Sequence, residues 1–261
     1  MAVDGFRVES FEHAGNARDV YRRGNGPGVV IMHEIPGITP EVAGFARRVA
    51  EAGFSVYMPH LFGQPGREFS VPYMVGQLAR ACISREFSVL ARHESSPITD
   101  WLRALCRHAH AECGGPGVGA LGMCLTGNFA LALMVDASVM APVLSQPSLP
   151  FGVSKRHHAA LHLSPEALAT VKERSQSGCP VLGLRFTHDP LCRKARFDTL
   201  RRELGSGFEA IEIDSSPGNP HGIARTAHSV VTKDLVDEEG HPTRVALERV
   251  LSFFREQLIQ D

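Results

Sequence analysis

The run Gly122-Met-Cys124-Leu-Thr126-Gly127 sets a thiol between an apolar stretch, Val118 to Gly122, and a segment of helical periodicity from Leu125 to Val135. A strand that turns sharply into a helix exposes the residue at the turn, strains its backbone and demands small neighbours. A cysteine there meets the partial positive charge of the helix N-terminus, which favours the thiolate, the nucleophilic form. The chemistry would be attack on a carbonyl, with the amides that follow the turn aimed at the developing oxyanion. The usual pattern has glycine two residues after the nucleophile. Here Thr126 holds that place, and a β-branched residue is less comfortable in so tight a turn. Read alone, Cys124 is equally a buried structural thiol, because free cysteine is among the most buried residue types.

A thiol nucleophile works with a base and with a group that orients the base. Asp189 follows the apolar run Val181–Phe186, in Thr187-His-Asp189-Pro190. Its plain reading is the opening of the next helix, with Pro190 at the first position. Its functional reading is the acid that fixes an imidazole tautomer. Two histidines follow the next apolar run, Phe208–Ile213: His221, 32 residues beyond Asp189, and His228, 39 beyond. The order nucleophile, acid, histidine is that of α/β-hydrolases.

The elements that must position these residues alternate along the chain. Phe6 to Tyr21, containing Gly15-Asn16, suits a hairpin. Gly28–Met32 is a short apolar run of the kind buried on both faces of a sheet. Thr39-Pro-Glu41 opens a helix to about Ala52, and Phe54–Met58 is the next strand. Strands are also expected over Val118–Gly122, Met140–Leu144, Val181–Phe186 and Phe208–Ile213. Helices are expected over Leu125–Val135, from Ser164-Pro165-Glu166, over Pro190–Leu204 and over Val245–Leu258. The reading is an α/β fold with a mostly parallel central sheet and helices on both faces, three layers in a single domain over residues 1–261. Residues 63–93 have weaker periodicity and read as a cap or lid. Residues 147–163 read as a surface excursion.

Lys+Arg total 27 against 28 Asp+Glu, so no charge excess points to nucleic acid or to an anionic membrane. No run of 18 apolar residues suggests a membrane span, and Met1 to Gly15 lacks a secretory pattern. Six scattered cysteines then read as reduced thiols, and a cytoplasmic location follows by default. The expected partner is a small molecule.

The stretch Val29-Val-Ile-Met-His33-Glu34-Ile-Pro-Gly-Ile38 resembles the signature of the dienelactone hydrolase family, an apolar strand ending in Glu-Ile-x-Gly. Ala52-Gly-Phe-Ser-Val-Tyr-Met-Pro-His-Leu-Phe62 continues in the family's manner. The elbow is similar to the family's Gly-x-Cys-x-Gly-Gly, and the Asp189 loop to its acid loop. The resemblance runs from Gly28 to the C-terminus. It implies an α/β-hydrolase fold and hydrolysis of an ester or lactone without metal or organic cofactor. It also implies a thioester on Cys124, Asp189 as triad acid, and an oxyanion hole from the N–H groups of Leu125 and Ile35. Glu34 would contact the resting thiol and help to deprotonate it; read alone, it is a charged strand-end residue.

His228 precedes Glu248 of the closing helix by 20 residues, similar to the family's spacing, so His228 is preferred over His221. His221 then reads as a loop residue of the Pro217–Pro220 turn, and His241 as a first-turn residue before Pro242. His157, His158 and His162 read as solvated. Arg85 or Arg225 would bind a substrate carboxylate, since arginine binds carboxylates in bidentate fashion. The family's own substrate arginines have no clear counterpart.

Two rival readings compete. One is a metal-dependent hydrolase using His108-x-His110-x-x-Cys113, whose spacing puts residues 108 and 110 on different helix faces. The other is an α/β-hydrolase-like binding or scaffold protein with an inert Cys124.

Overall fold

The computed structural model describes residues 3–83, 97–148 and 158–259. Eight strands form one sheet in the order β1-β2-β4-β3-β5-β6-β7-β8. They are β1 Arg7–His13, β2 Asn16–Arg23, β3 Gly28–Met32, β4 Ser55–Pro59, β5 Val118–Met123, β6 Val139–Ser145, β7 Val181–Phe186 and β8 Phe208–Ile213. β1 and β2 form an antiparallel hairpin, and β2 joins β4 antiparallel. The pairs from β4 through β8 are all parallel. The hairpin turns at Ala14-Gly15, both at positive φ, so Asn16 belongs to β2 and pairs with His13.

Seven α-helices lie among the described residues: α1 Pro40–Glu51, α2 Val71–Ile83, α3 Pro97–Cys113, α4 Gly127–Leu133, α5 Pro165–Gln176, α6 Lys194–Leu204 and α7 Pro242–Leu258. Their starts follow the local chemistry. Thr39 and Ser164 cap α1 and α5 by accepting from Val42 N–H and Ala167 N–H, each ahead of a proline that has no N–H to leave unpaired. His241 does the same for α7, its Nδ1 accepting from Thr243 N–H at 3.3 Å. That helix therefore starts three residues earlier than its periodicity suggests. The helix after β7 starts at Lys194, so Asp189 lies in the turn before it and is not its cap.

Alternation along the strands divides the core in two. Val30, Met32, Val118 and Ala120 face Trp101, Leu105, Phe129, Val171 and Phe197 of α3 to α6. Val29, Ile31, Leu121, Met123 and Leu184 face Phe45 and Val49 of α1 and Val250 and Phe254 of α7. Burial on both faces explains why these strands read as unbroken apolar runs rather than as alternating ones. The result is the three-layer α/β sandwich expected, with the C-terminal ends of the parallel strands opening on one edge, where α/β folds bind ligands.

The segment expected as a lid contains α2, and its remainder from residue 84 lies outside the described residues. The connection expected as a surface excursion has buried ends. Ser148 and His162 are 1% and 5% exposed, while residues 149–157 lie outside the described residues.

Candidate active site

Cys124 follows β5 at φ +54°, a left-handed conformation that costs a non-glycine residue energy and so marks a functional constraint. The local sequence makes this turn possible. A Cβ on Gly122 would lie 2.1 Å from Thr126 O, and one on Gly127 would lie 2.8 Å from Pro147 Cα. Thr126 has no need to be glycine, because its φ of −77° and ψ of −11° are ordinary helical values. Its hydroxyl, wholly buried, accepts from Met123 N–H at 2.9 Å and donates to Met32 O at 2.8 Å. The threonine ties the turn to the end of β3 rather than straining it.

Asp189, 3% exposed, stands in the turn after β7. Its Oδ1 accepts from Leu191 N–H at 2.8 Å and its Oδ2 lies 2.6 Å from His228 Nδ1. His228 comes from the long loop after β8. Its backbone N–H and that of Ser229 both donate to Asp234 Oδ2, at 2.8 and 2.9 Å, which fixes the loop on which the imidazole is carried. With Nδ1 on a carboxylate, Nε2 is the nitrogen left for substrate; it is buried and has no hydrogen-bond partner among the described residues. Burial opposes charge on the ring, but the Cys124 sulfur and the Asp189 carboxylate outweigh it and hold the His228 pKa well above the usual histidine value. Removing the larger of these two influences is expected to lower it. An NMR titration of the His228 ring should therefore show its midpoint falling to lower pH in Cys124→Ala, and an unmoved midpoint would separate the two side chains electrostatically.

Glu34, 6% exposed, follows His33 at the end of β3. His33 is wholly buried, and burial pushes its pKa down to about 3, so it is neutral. Its Nε2 accepts from Leu61 N–H at 3.0 Å, which leaves the proton on Nδ1 to donate to Glu34 O at 3.2 Å. The Glu34 carboxylate accepts from Ser229 Oγ at 2.8 Å, Gln146 Nε2 at 3.3 Å and Thr232 Oγ1 at 2.5 Å. The Cys124 sulfur has Ser148 Oγ as its hydrogen-bond partner, at 3.1 Å.

Cys124, His228, Glu34 and Ile35 line one cavity of about 320 Å³, with Phe69, Met74, Leu78 and Leu191 as its apolar wall. Lys233 sits at its rim, its Nζ 4.8 Å from the centre of the Phe69 ring. A wider cavity of about 570 Å³ opens at the opposite, N-terminal end of β4. Its arginines are paired with carboxylates, Arg22 with Glu9 and Glu112 and Arg7 with Glu9, and it lies away from the strand ends that carry the thiol and imidazole.

Of the residues expected at the site, the structure brings Cys124, His228, Glu34 and Ile35 to one cavity, with Asp189 behind His228 and Leu125 next to Cys124 in the chain. His221 is outside it, exposed and packed edge-on against His241 at 5.3 Å. Arg225 is exposed, and Arg85 lies outside the described residues, as does His157. His162, expected to be solvated, is instead buried at φ +57°, its Nε2 3.4 Å from the Arg196 guanidinium. Among the described residues no group of three or more His, Cys, Asp or Glu side chains could hold a metal. His108 faces Glu112, and His110 Nε2 lies 3.0 Å from Gly115 O. Nor is any described helix long and apolar enough to cross a membrane. Cys106, Cys113, Cys124, Cys179 and Cys192 are free thiols.

Sequence reasoning missed Ser148, Asp234, Gln146 and Thr232, which hold the thiol, the histidine loop and Glu34. Only Thr232 and Asp234 left a trace, close behind His228 in the chain.

Comparison with known proteins agrees with the geometry. The family model described as "Dienelactone hydrolase family" matches residues 17–258. A Saccharomyces cerevisiae protein named "Putative carboxymethylenebutenolidase" is 26% identical over 198 residues, 74% of this chain and 69% of that protein. A solved structure named "Putative Dienelactone Hydrolase" from Klebsiella pneumoniae superposes with a TM-score of 0.63 at 18% identity, covering 96% of this chain and 98% of the other. The dienelactone hydrolase of Anabaena variabilis gives 0.59 at 17%, covering 97% and 98%. Identities this low speak for the fold alone. The match over residues 17–258 goes further: the chain belongs to the dienelactone hydrolase family and is a carboxylic ester or lactone hydrolase.

Proposed function

We propose that Cys124, His228 and Asp189 hydrolyse a carboxylic ester or lactone through a thioester on Cys124. The observation that carries this reading is the 2.6 Å contact between His228 Nδ1 and Asp189 Oδ2, in a site whose cavity also holds the strained Cys124. The Cys124 thiolate attacks the carbonyl carbon and a C–S bond forms. The oxyanion is met by the N–H groups of Leu125 and Ile35. As the tetrahedral intermediate collapses, the C–O bond breaks and His228 Nε2–H gives its proton to the leaving alkoxide. In a lactone that alkoxide stays attached to the acyl group. His228 Nε2 then takes a proton from water, which attacks the thioester; the C–S bond breaks, releasing the acid and restoring the thiolate beside a protonated His228. Asp189 keeps the proton of His228 on Nδ1 and stabilises the imidazolium.

Glu34 is assigned to the histidine loop, through Ser229 and Thr232, because its carboxylate oxygens are taken up there. The apolar wall of Phe69, Met74, Leu78 and Leu191 favours a substrate with a small apolar group beside the reacting carbonyl. Lactones are the natural first substrates to try, given the name of the yeast relative.

The test is single-turnover mass spectrometry with small activated esters and lactones, on wild type and Cys124→Ala. The expected result is an acyl adduct confined to the peptide carrying Cys124, and a loss in kcat of roughly 10³-fold or more in the variant, as for nucleophile removal elsewhere. Turnover surviving in Cys124→Ala would remove the thiol from the mechanism. A wild type with neither adduct nor turnover would favour the binding-protein reading.

A further inference from the structure

We infer that the Ser148 hydroxyl is the hydrogen-bond donor that holds the resting Cys124 sulfur, which makes Ser148 a further catalytic residue of the site. The inference rests on Cys124 being the nucleophile.

Ser148 Oγ lies 3.1 Å from Cys124 Sγ. A thiolate has only lone pairs to offer, so once Cys124 is ionised the proton in this contact comes from the serine. Donation to a charged acceptor is stronger than between neutral groups and lowers the free energy of the thiolate relative to the thiol. Ser148 is also unusually well fixed for a residue in a connecting loop. Its N–H donates to Cys124 O at 2.9 Å, so it is tied to the backbone of the residue it serves. Its carbonyl accepts from Asn128 Nδ2 at 3.1 Å. Asn128 is buried in turn, donating also to Leu125 O at 3.3 Å and accepting at Oδ1 from the Arg196 guanidinium. Gly127 lets the chain at Pro147 approach this closely, since any side chain there would collide with the Pro147 backbone. Gln146, at φ +35°, makes the bend that brings Pro147 and Ser148 over the turn.

The Cys124 backbone and the Asn128 amide, itself held by the Arg196 guanidinium, thus fix one loop residue that is 1% exposed, and its hydroxyl lies against the sulfur. The His228 ring also feels the sulfur, which favours its charge, but the contact that meets hydrogen-bond geometry at Cys124 Sγ is the one with Ser148 Oγ.

The test is the pH dependence of Cys124 alkylation by iodoacetamide, located by peptide mass mapping, in wild type, Ser148→Ala and Ser148→Thr. Loss of the donor should move the alkylation profile of Ser148→Ala to higher pH. At pH 6 the rate should fall about tenfold, one pKa unit's worth. Ser148→Thr, which keeps a hydroxyl, should stay within about threefold of wild type, since its donor still faces the sulfur. Should Ser148→Ala not fold, Ser148→Gly also lacks the donor and adds no bulk or second thiol, and should show the same upward move. An unshifted profile in a folded Ser148→Ala or Ser148→Gly variant overturns the inference. The readout is independent of turnover. Hydrolysis surviving in Cys124→Ala sinks the nucleophile assignment, whereas an unshifted profile with Cys124→Ala inactive sinks the role of Ser148 alone.

Discussion

His228→Ala is expected to lower kcat/KM for an activated ester by at least about 10³-fold, on the scale of losing the base of a triad. His221→Ala should stay within about twofold. The contrast is large because the two histidines, seven positions apart, have different surroundings. The His228 ring is clamped by Asp189 and carried on a loop whose N–H groups are held by Asp234. His221 is exposed on a turn, where its backbone N–H donates to Asn219 Oδ1 at 3.2 Å. Steady-state kinetics of the two variants, with thermal melts to confirm folding, decide the matter. Equal losses, or a larger one in His221→Ala, would overturn the assignment of the base.

Thr126→Val should be the most damaging near-isosteric change in the elbow. Valine keeps the shape and removes a hydroxyl that serves both Met123 N–H and Met32 O in a fully buried place. Leaving buried backbone groups without partners costs about 1–3 kcal/mol each. A chemical-denaturation midpoint should report a loss in that range, with unchanged m-value. Activity should fall as well, because the turn that presents Cys124 loses its tie to β3. Thr126→Ser, which keeps the oxygen, should recover most of both. A Thr126→Val protein as stable and active as wild type would show that the hydroxyl is dispensable.

Thr126 also shows where reading the chain succeeds and where it stops. The pattern located the elbow, yet it made the threonine an irregularity, because spacing does not reveal which φ a residue adopts. The strands were legible as apolar runs, since both faces of the sheet are covered. Helix starts were legible where a capping residue precedes a proline, at Thr39 and Ser164. The start of α7 was misjudged because histidine is an uncommon cap, and that of α6 because the Asp189 turn imitates a helix opening. Cys124, Asp189 and His228 could be nominated from the sequence because each follows a recognisable apolar run or local motif. Ser148, Asn128 and Arg196 could not. Their roles arise from a contact between the loop after β6, the elbow helix and α6, and nothing in the local sequence marks an ordinary serine as buried against a thiol.

Glu34 lies 195 and 198 positions from Ser229 and Thr232, the residues its carboxylate holds. Contacts so distant in sequence repay the entropy of loop closure only after the strands between them are in register. The elbow shares that dependence, since Thr126 is tied to Met32 O, 94 positions away. The end of β3 thus anchors both the nucleophile turn and the histidine loop, so a change that loosens this one strand end should disturb the thiol and the imidazole together.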